Sequence, residues 1–184
     1  MAVHSIFHVG FVVRDLDASI RFYTEGLGLR LRLQQTQDND YTRSLVGYHD
    51  ASLRVAQFLL PEGEPPASGH ILELVEYVAP EGGPADLERN TIGAGHLAFL
   101  VDDIEAMTAS LAALGATPLS EPNEITAGIN KGGKALYLHD PDGVTLELLQ
   151  PANRPASPPT SQSASPLTSQ SASQSADQPA KAVR

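Results

Sequence analysis

Cysteine and tryptophan are absent from this 184-residue chain, phenylalanine and tyrosine number five each, and 12 lysines and arginines face 22 aspartates and glutamates. Without cysteine there is no disulfide framework, no thiolate metal site and no cysteine nucleophile. A formal charge of −10 repels phosphate backbones, and no basic, aromatic-studded stripe offers a stacking platform. Nucleic acid and anionic membranes are therefore poor partners. No apolar run approaches the roughly 18 residues that span a bilayer, and no basic n-region leads into an apolar stretch at the start. A soluble, cytoplasmic protein acting on a small molecule is expected. No Ser-His-Asp order is recognisable, so a hydrolase triad has no support.

Core-forming residues are also missing from Pro151 onward, where the octet Ser157-Pro158-Pro159-Thr160-Ser161-Gln162-Ser163-Ala164 is nearly repeated over Ser165–Ala172. Such a segment cannot offset roughly 1–2 kcal/mol of backbone entropy per ordered residue. Residues 151–184 are expected to be a disordered tail. Residues 1–150 hold 9 Lys+Arg against 21 Asp+Glu, a net charge of −12.

What the chain does contain is a duplication. Phe7-His8-Val9-Gly10-Phe11-Val12-Val13 leads into Asp15-Leu16-Asp17-Ala18; Gly95-His96-Leu97-Ala98-Phe99-Leu100-Val101 leads into Asp103-Ile104-Glu105-Ala106. Leu72-Glu73-Leu74 follows the first copy and Leu146-Glu147-Leu148 the second. Periodicity and turn signals predict the same order twice. Strands at Ile6–Val13 and His96–Val101 precede helices capped by Asp15 and by Asp102 or Asp103. Three strands follow in each copy: Leu29–Gln35, Leu53–Leu60 and Ile71–Val78, then Thr117–Leu119, Lys134–Leu138 and Val144–Leu149. Asp140-Pro141-Asp142-Gly143 reads as the last turn. The expected class is α+β, with two tandem β-α-β-β-β modules at about 4–80 and 92–150.

Strand parity places Glu73 with Ile71 and Val75, and Glu147 with Thr145 and Leu149, while the flanking leucines turn to a helix-covered core. A carboxylate in an apolar flank implies a partner. A lone strand histidine or glutamate is more often structural. Recurrence at equivalent positions favours a divalent-metal site built from His8, Glu73, His96 and Glu147, a donor set of intermediate hardness.

The His-x-x-Phe-x-Val-x-Asp pattern at His8 with its counterpart at His96, Gly26-Leu27-Gly28-Leu29, and the Asp140–Gly143 turn before Leu146-Glu147-Leu148 resemble the vicinal oxygen chelate superfamily over residues 4–150. The resemblance implies an open barrel around a metal, often in a homodimer. Glu73 sorts the members. Bacterial-type glyoxalase I has His, Glu, His, Glu, matching all four positions; extradiol dioxygenases and fosfomycin enzymes would use only His8, His96 and Glu147. Methylmalonyl-CoA epimerase has Gln at the Glu73 position, and bleomycin-resistance proteins lack the ligands. The implied function is a glyoxalase I-like lyase or isomerase acting through a metal-stabilised enediolate, with Ni, Co or Zn, and Glu73 or Glu147 as the base. The alternatives are an Fe(II) ring-cleavage dioxygenase and a metal-free binding protein.

Among weaker signals, Gly128–Lys134 has the spacing of a phosphate loop but lacks the following Ser/Thr and helix. Its Lys131 and Lys134 are candidates to grip an anionic substrate group. His49, with Asp50, is a candidate substrate-site residue. His139 is expected to be exposed, and His4 and His70 to be structural or surface residues.

Overall fold

A computed structural model describes residues 2–61, 70–85 and 88–152. All but the first two residues of the tail expected at 151–184 lie outside the described residues. The first module contains β1 (His8–Val12), α1 (Leu16–Arg21), β2 (Arg30–Gln37), α2 (Asp40–Val46), β3 (Ser52–Leu59) and β4 (Ile71–Ala79). The second contains β5 (His96–Leu100), α3 (Ile104–Ala113), β6 (Thr117–Pro118), β7 (Asn123–Glu124), β8 (Lys134–His139) and β9 (Thr145–Gln150). Their sheets are ordered β1-β4-β3-β2 and β5-β9-β8-β6, with β7 also paired to β8. In both, the first strand lies parallel to the last and the intervening pairings are antiparallel. The duplicated sequence is thus a duplicated topology.

The same local chemistry starts the first helix of each module. Asp15 Oδ1 accepts from the Asp17 and Ala18 amides at 3.0 Å, and Asp103 Oδ1 from Ala106 at 2.9 Å. These bonds satisfy donors that a helix start leaves without partners. A further amide in each is tied to the sheet: Leu16 N donates to Glu76 Oε2 at 3.0 Å and Ile104 N to Gln150 Oε1 at 2.8 Å. Residues 76 and 150 lie three positions beyond Glu73 and Glu147. An odd offset puts them on the opposite sheet face, where the helices pack.

That face forms one core shared by both modules. Leu72, Leu74, Ala56 and Phe58 from the first sheet join Leu136, Leu138, Leu146 and Leu148 from the second, with Leu16, Tyr23, Ile104 and Leu111 from the helical layer. Gly26 lets the helical segments approach: a Cβ there would meet Leu111 Cδ2 at 2.7 Å and Leu114 Cδ1 at 3.0 Å. Truncating a fully buried leucine such as Leu74 or Leu146 would cost about 2–5 kcal/mol.

Three features depart from expectation. The first helix changes winding after Arg21 into a π-helical turn, Phe22–Gly26. The segment between the second and third strands folds as α2, started by Asn39, whose side chain accepts from Thr42 N at 2.9 Å, and ended by Gly47 at φ 79°. β6 and β7 are only two residues each. Among the described residues, no helix is long and apolar enough to cross a membrane.

Candidate metal centre

Register brings each histidine to its glutamate. In the parallel pair β1–β4, His8 lies opposite Ile71 and Gly10 opposite Glu73; in β5–β9, His96 lies opposite Thr145 and Ala98 opposite Glu147. Each histidine and glutamate are therefore diagonal neighbours on one face. The residue directly opposite each carboxylate is small, Gly10 or Ala98, which leaves room for the two side chains to converge. His8 Nε2 is 3.7 Å from Glu73 Oε1, and His96 Nε2 is 3.2 Å from Glu147 Oε2. The carboxylates are mostly buried and the imidazoles half-exposed, so the pairs line open surfaces rather than closed cavities.

A third strand lies beside each carboxylate. Gln57, opposite Glu73 on β3, donates from Nε2 to Glu73 Oε2 at 2.7 Å. Tyr137 occupies the equivalent place on β8 opposite Glu147. Its ring meets the His96 ring edge-on at 5.3 Å and 88°. Burial pushes the Tyr137 phenol up, with the Glu147 charge and a hydrogen bond to Glu147 adding to it and the Arg89 charge opposing. Gln57 and Tyr137 were missed in the sequence; antiparallel register, once the strands are placed, identifies both.

The chain does not assemble the four expected donors into one group. Among the described residues, no cluster of three or more His, Asp or Glu side chains could hold a metal ion. The cause is the shared core: both sheets turn their leucine faces toward it, so their glutamate faces cannot also meet across it. One chain carries two His–Glu half-sets. Each half-set has suitable donor chemistry. Two ligands at about 2.1 Å from a metal and at right angles are about 3.0 Å apart. The His96–Glu147 separation is close to that, and the His8–Glu73 pair needs only a small closure.

The weaker candidates fall elsewhere. Lys134 alternates with Ala135 and Tyr137 on β8, which sends it to the helix side, where it bonds Glu105. It does not face the His96–Glu147 pair. Lys131 sits in an exposed turn, its amide donating to Gly128 O at 3.3 Å. His49 is exposed and paired with Asp50 at 3.2 Å. The expectation for His139 needs correction: it is half-buried at the end of β8, and its buried Nε2 has no hydrogen-bond partner. Its place opposite Thr145, within the sheet rather than in the turn, explains the burial.

Comparison with known proteins agrees with this architecture. Residues 5–148 match the model of the glyoxalase/bleomycin resistance protein/dioxygenase superfamily. A probable lactoylglutathione lyase of Vibrio cholerae is 32% identical over 151 residues, covering 82% of this chain and 93% of the relative. A 2-epi-5-epi-valiolone epimerase of an Actinomyces species is 37% identical over 164 residues, covering 86% and 82%. The crystal structure of a glyoxalase family protein from Bacillus cereus superposes with a TM-score of 0.67 at 21% identity, covering 83% of this chain and 97% of that one, a likeness of fold. With the duplicated strand order, the repeated His–Glu register and a family match spanning both modules, the chain belongs to the glyoxalase/bleomycin resistance protein/dioxygenase superfamily.

Proposed function

We propose that the chain is a metal-dependent lyase or isomerase of the glyoxalase I type, which moves a proton between neighbouring carbons of a small substrate bearing adjacent oxygens. The observation that carries this reading is the pair of equivalent half-sets, His8 with Glu73 and His96 with Glu147. Relatives named "probable lactoylglutathione lyase" at 32% and 34% identity support it. Two neutral imidazoles and two carboxylates around a divalent ion sum to zero, which avoids burying a net charge. Ni, Co or Zn suits these donors. Such an ion supplies Lewis-acid stabilisation of charge that develops on substrate oxygens.

The half-sets would meet in a homodimer, His8 and Glu73 of one copy facing His96 and Glu147 of a second. Val12 and Leu100 support this arrangement. Each lies four residues after its histidine on the same face, and they are 59% and 60% exposed. A second copy laid on these faces buries both apolar side chains. The domain itself would comprise residues 1–150, with 151–184 as an appended tail.

Within each half-set the protein's own groups divide the work. Gln57 holds Glu73 by Oε2, leaving Oε1 beside the His8 imidazole. Tyr137 stands opposite Glu147 in the corresponding register, and Glu147 Oε2 is the oxygen nearer His96. Proton transfer between adjacent carbons needs a base near both. Glu73 or Glu147 takes the proton from one carbon on a carboxylate oxygen and returns it to the next. The Actinomyces relative named an epimerase, at 37% identity, favours a second reading of the same chemistry, in which the proton returns to its original carbon on the other face.

Turnover of a hemithioacetal by Glu73→Ala, with metal quantified in the same sample, tests the reading. A four-ligand isomerase should lose activity by at least about a hundredfold while remaining folded. Full activity at normal metal content would overturn it. Catechol cleavage by the iron-loaded protein, unaffected by the same change, would identify the dioxygenase alternative instead. A protein that binds a small molecule with no metal present would be the binding-protein alternative.

A further inference from the structure

A cavity of about 380 Å³ opens beside the second half-set, lined by Arg89, Leu119, Ser120, Asn123, Ala135 and Tyr137 among others. Ala135 and Tyr137 share the Glu147 face of β8 by parity. Tyr137 thus belongs to both places: it stands opposite Glu147 in register, its ring against His96, and it lines the cavity. The volume is within the range of small-molecule sites.

Cations are scarce in this chain, and several are committed elsewhere. Arg54 is held between Asp17 and Glu76, Arg43 pairs with Asp40, and Lys134 with Glu105. Arg89 instead lines the cavity together with Tyr137. In the same lining, Asn123 Nδ2 donates to Ser120 Oγ at 3.1 Å and to Glu121 O at 2.8 Å. A hydroxyl oxygen that accepts from Asn123 keeps its own proton to donate. The cavity therefore presents a guanidinium fork and an oriented hydroxyl donor, with an aromatic wall leading to Glu147.

We propose that this cavity is a subsite for a carboxylate carried by the substrate, bound by the Arg89 guanidinium and the Ser120 hydroxyl, with the reacting carbons directed past Tyr137 toward Glu147. A planar guanidinium matches a carboxylate through two parallel N–H···O bonds. One guanidinium balances one negative charge; a phosphate dianion would leave excess negative charge beside Glu147. The direction of the reacting carbons rests on the isomerase reading. The anion site itself does not.

Titrating the ¹⁵N-labelled full-length protein with acetate, acetamide and inorganic phosphate separates the outcomes. Acetate should give saturable amide shifts at Ser120, Asn123 and Tyr137, acetamide none, and phosphate weaker ones than acetate. Arg89→Gln should weaken the acetate response at least tenfold, and Arg89→Lys should retain part of it. Shifts that do not saturate, that acetamide reproduces, that Arg89→Gln leaves unchanged, or that fall only around Lys131 would overturn the subsite. Tighter binding of phosphate would overturn the carboxylate assignment. No turnover is needed, so this result and the Glu73→Ala assay fail independently.

Discussion

The Tyr23 hydroxyl donates to Asp140 Oδ2 at 2.9 Å, tying the helical segment of the first module to the last turn of the second. Asp140 Oδ1 accepts from the Asp142 and Val144 amides at 2.9 Å. One buried carboxylate therefore shapes the Asp140–Gly143 turn, fixes the entry to the Glu147 strand and joins the two modules.

Burial pushes the Asp140 carboxyl above its ordinary value of 3.8, even though its hydrogen bonds pull the other way. The folded chain then holds this proton more tightly than the unfolded chain does. Between pH 3.8 and the raised folded value, this group makes stability fall as pH rises. Asp140→Asn keeps an acceptor for both amides and can pair with Tyr23. It should abolish this component of the pH slope and leave stability at pH 7 within about 1 kcal/mol. Asp140→Ala should cost about 2–4 kcal/mol. Denaturant unfolding of metal-free protein from pH 4 to 7 checks both.

Gln57, bonded to Glu73, and Tyr137, opposite Glu147, are expected to act through those carboxylates. Partners that orient metal ligands are commonly worth 10–100-fold in affinity. Gln57→Leu and Tyr137→Phe should each weaken metal binding by roughly that factor without unfolding the chain. Competition against a chelator, with circular dichroism as the control, measures this. Unchanged affinity in both would leave the third strands with no part in the site.

Much of this arrangement was legible in the sequence, because period-2 alternation and a duplicated motif encode faces and symmetry directly. The positions of Glu73 and Glu147 opposite the leucine core follow from parity alone. Tyr137 and Gln57 required the register between strands, which no local pattern records. α2 was overlooked although Asn39 and Gly47 bracket it as cap and terminator, because its seven residues show no clear apolar stripe. The separation of the two half-sets is a property of the common core. Local motifs do not say which faces of two sheets that core will take.

The tail expectation gives a simple test. Ala152 still packs near the Gly132–Gly133 turn, where a Cβ on Gly132 would lie 3.3 Å from Ala152 Cβ, so the cut belongs after residue 152. Removing 153–184 should change Tm by less than about 2 °C and leave metal content unaltered. A larger loss would mean that the segment docks on the domain.

In the proposed function, two copies of the chain complete each metal site. His8→Ala and His96→Ala homodimers should each lack an intact donor set. A mixed dimer retains one: His8 and Glu73 from the His96→Ala chain, His96 and Glu147 from the His8→Ala chain. Unfolding and refolding equal amounts of the two variants together should therefore restore about a quarter of the parent metal content, from half of the dimers carrying one of two sites. Sites shared between two copies give that recovery in the mixture and in neither variant alone; a mixture that binds no more metal than its separate components would contradict a shared site.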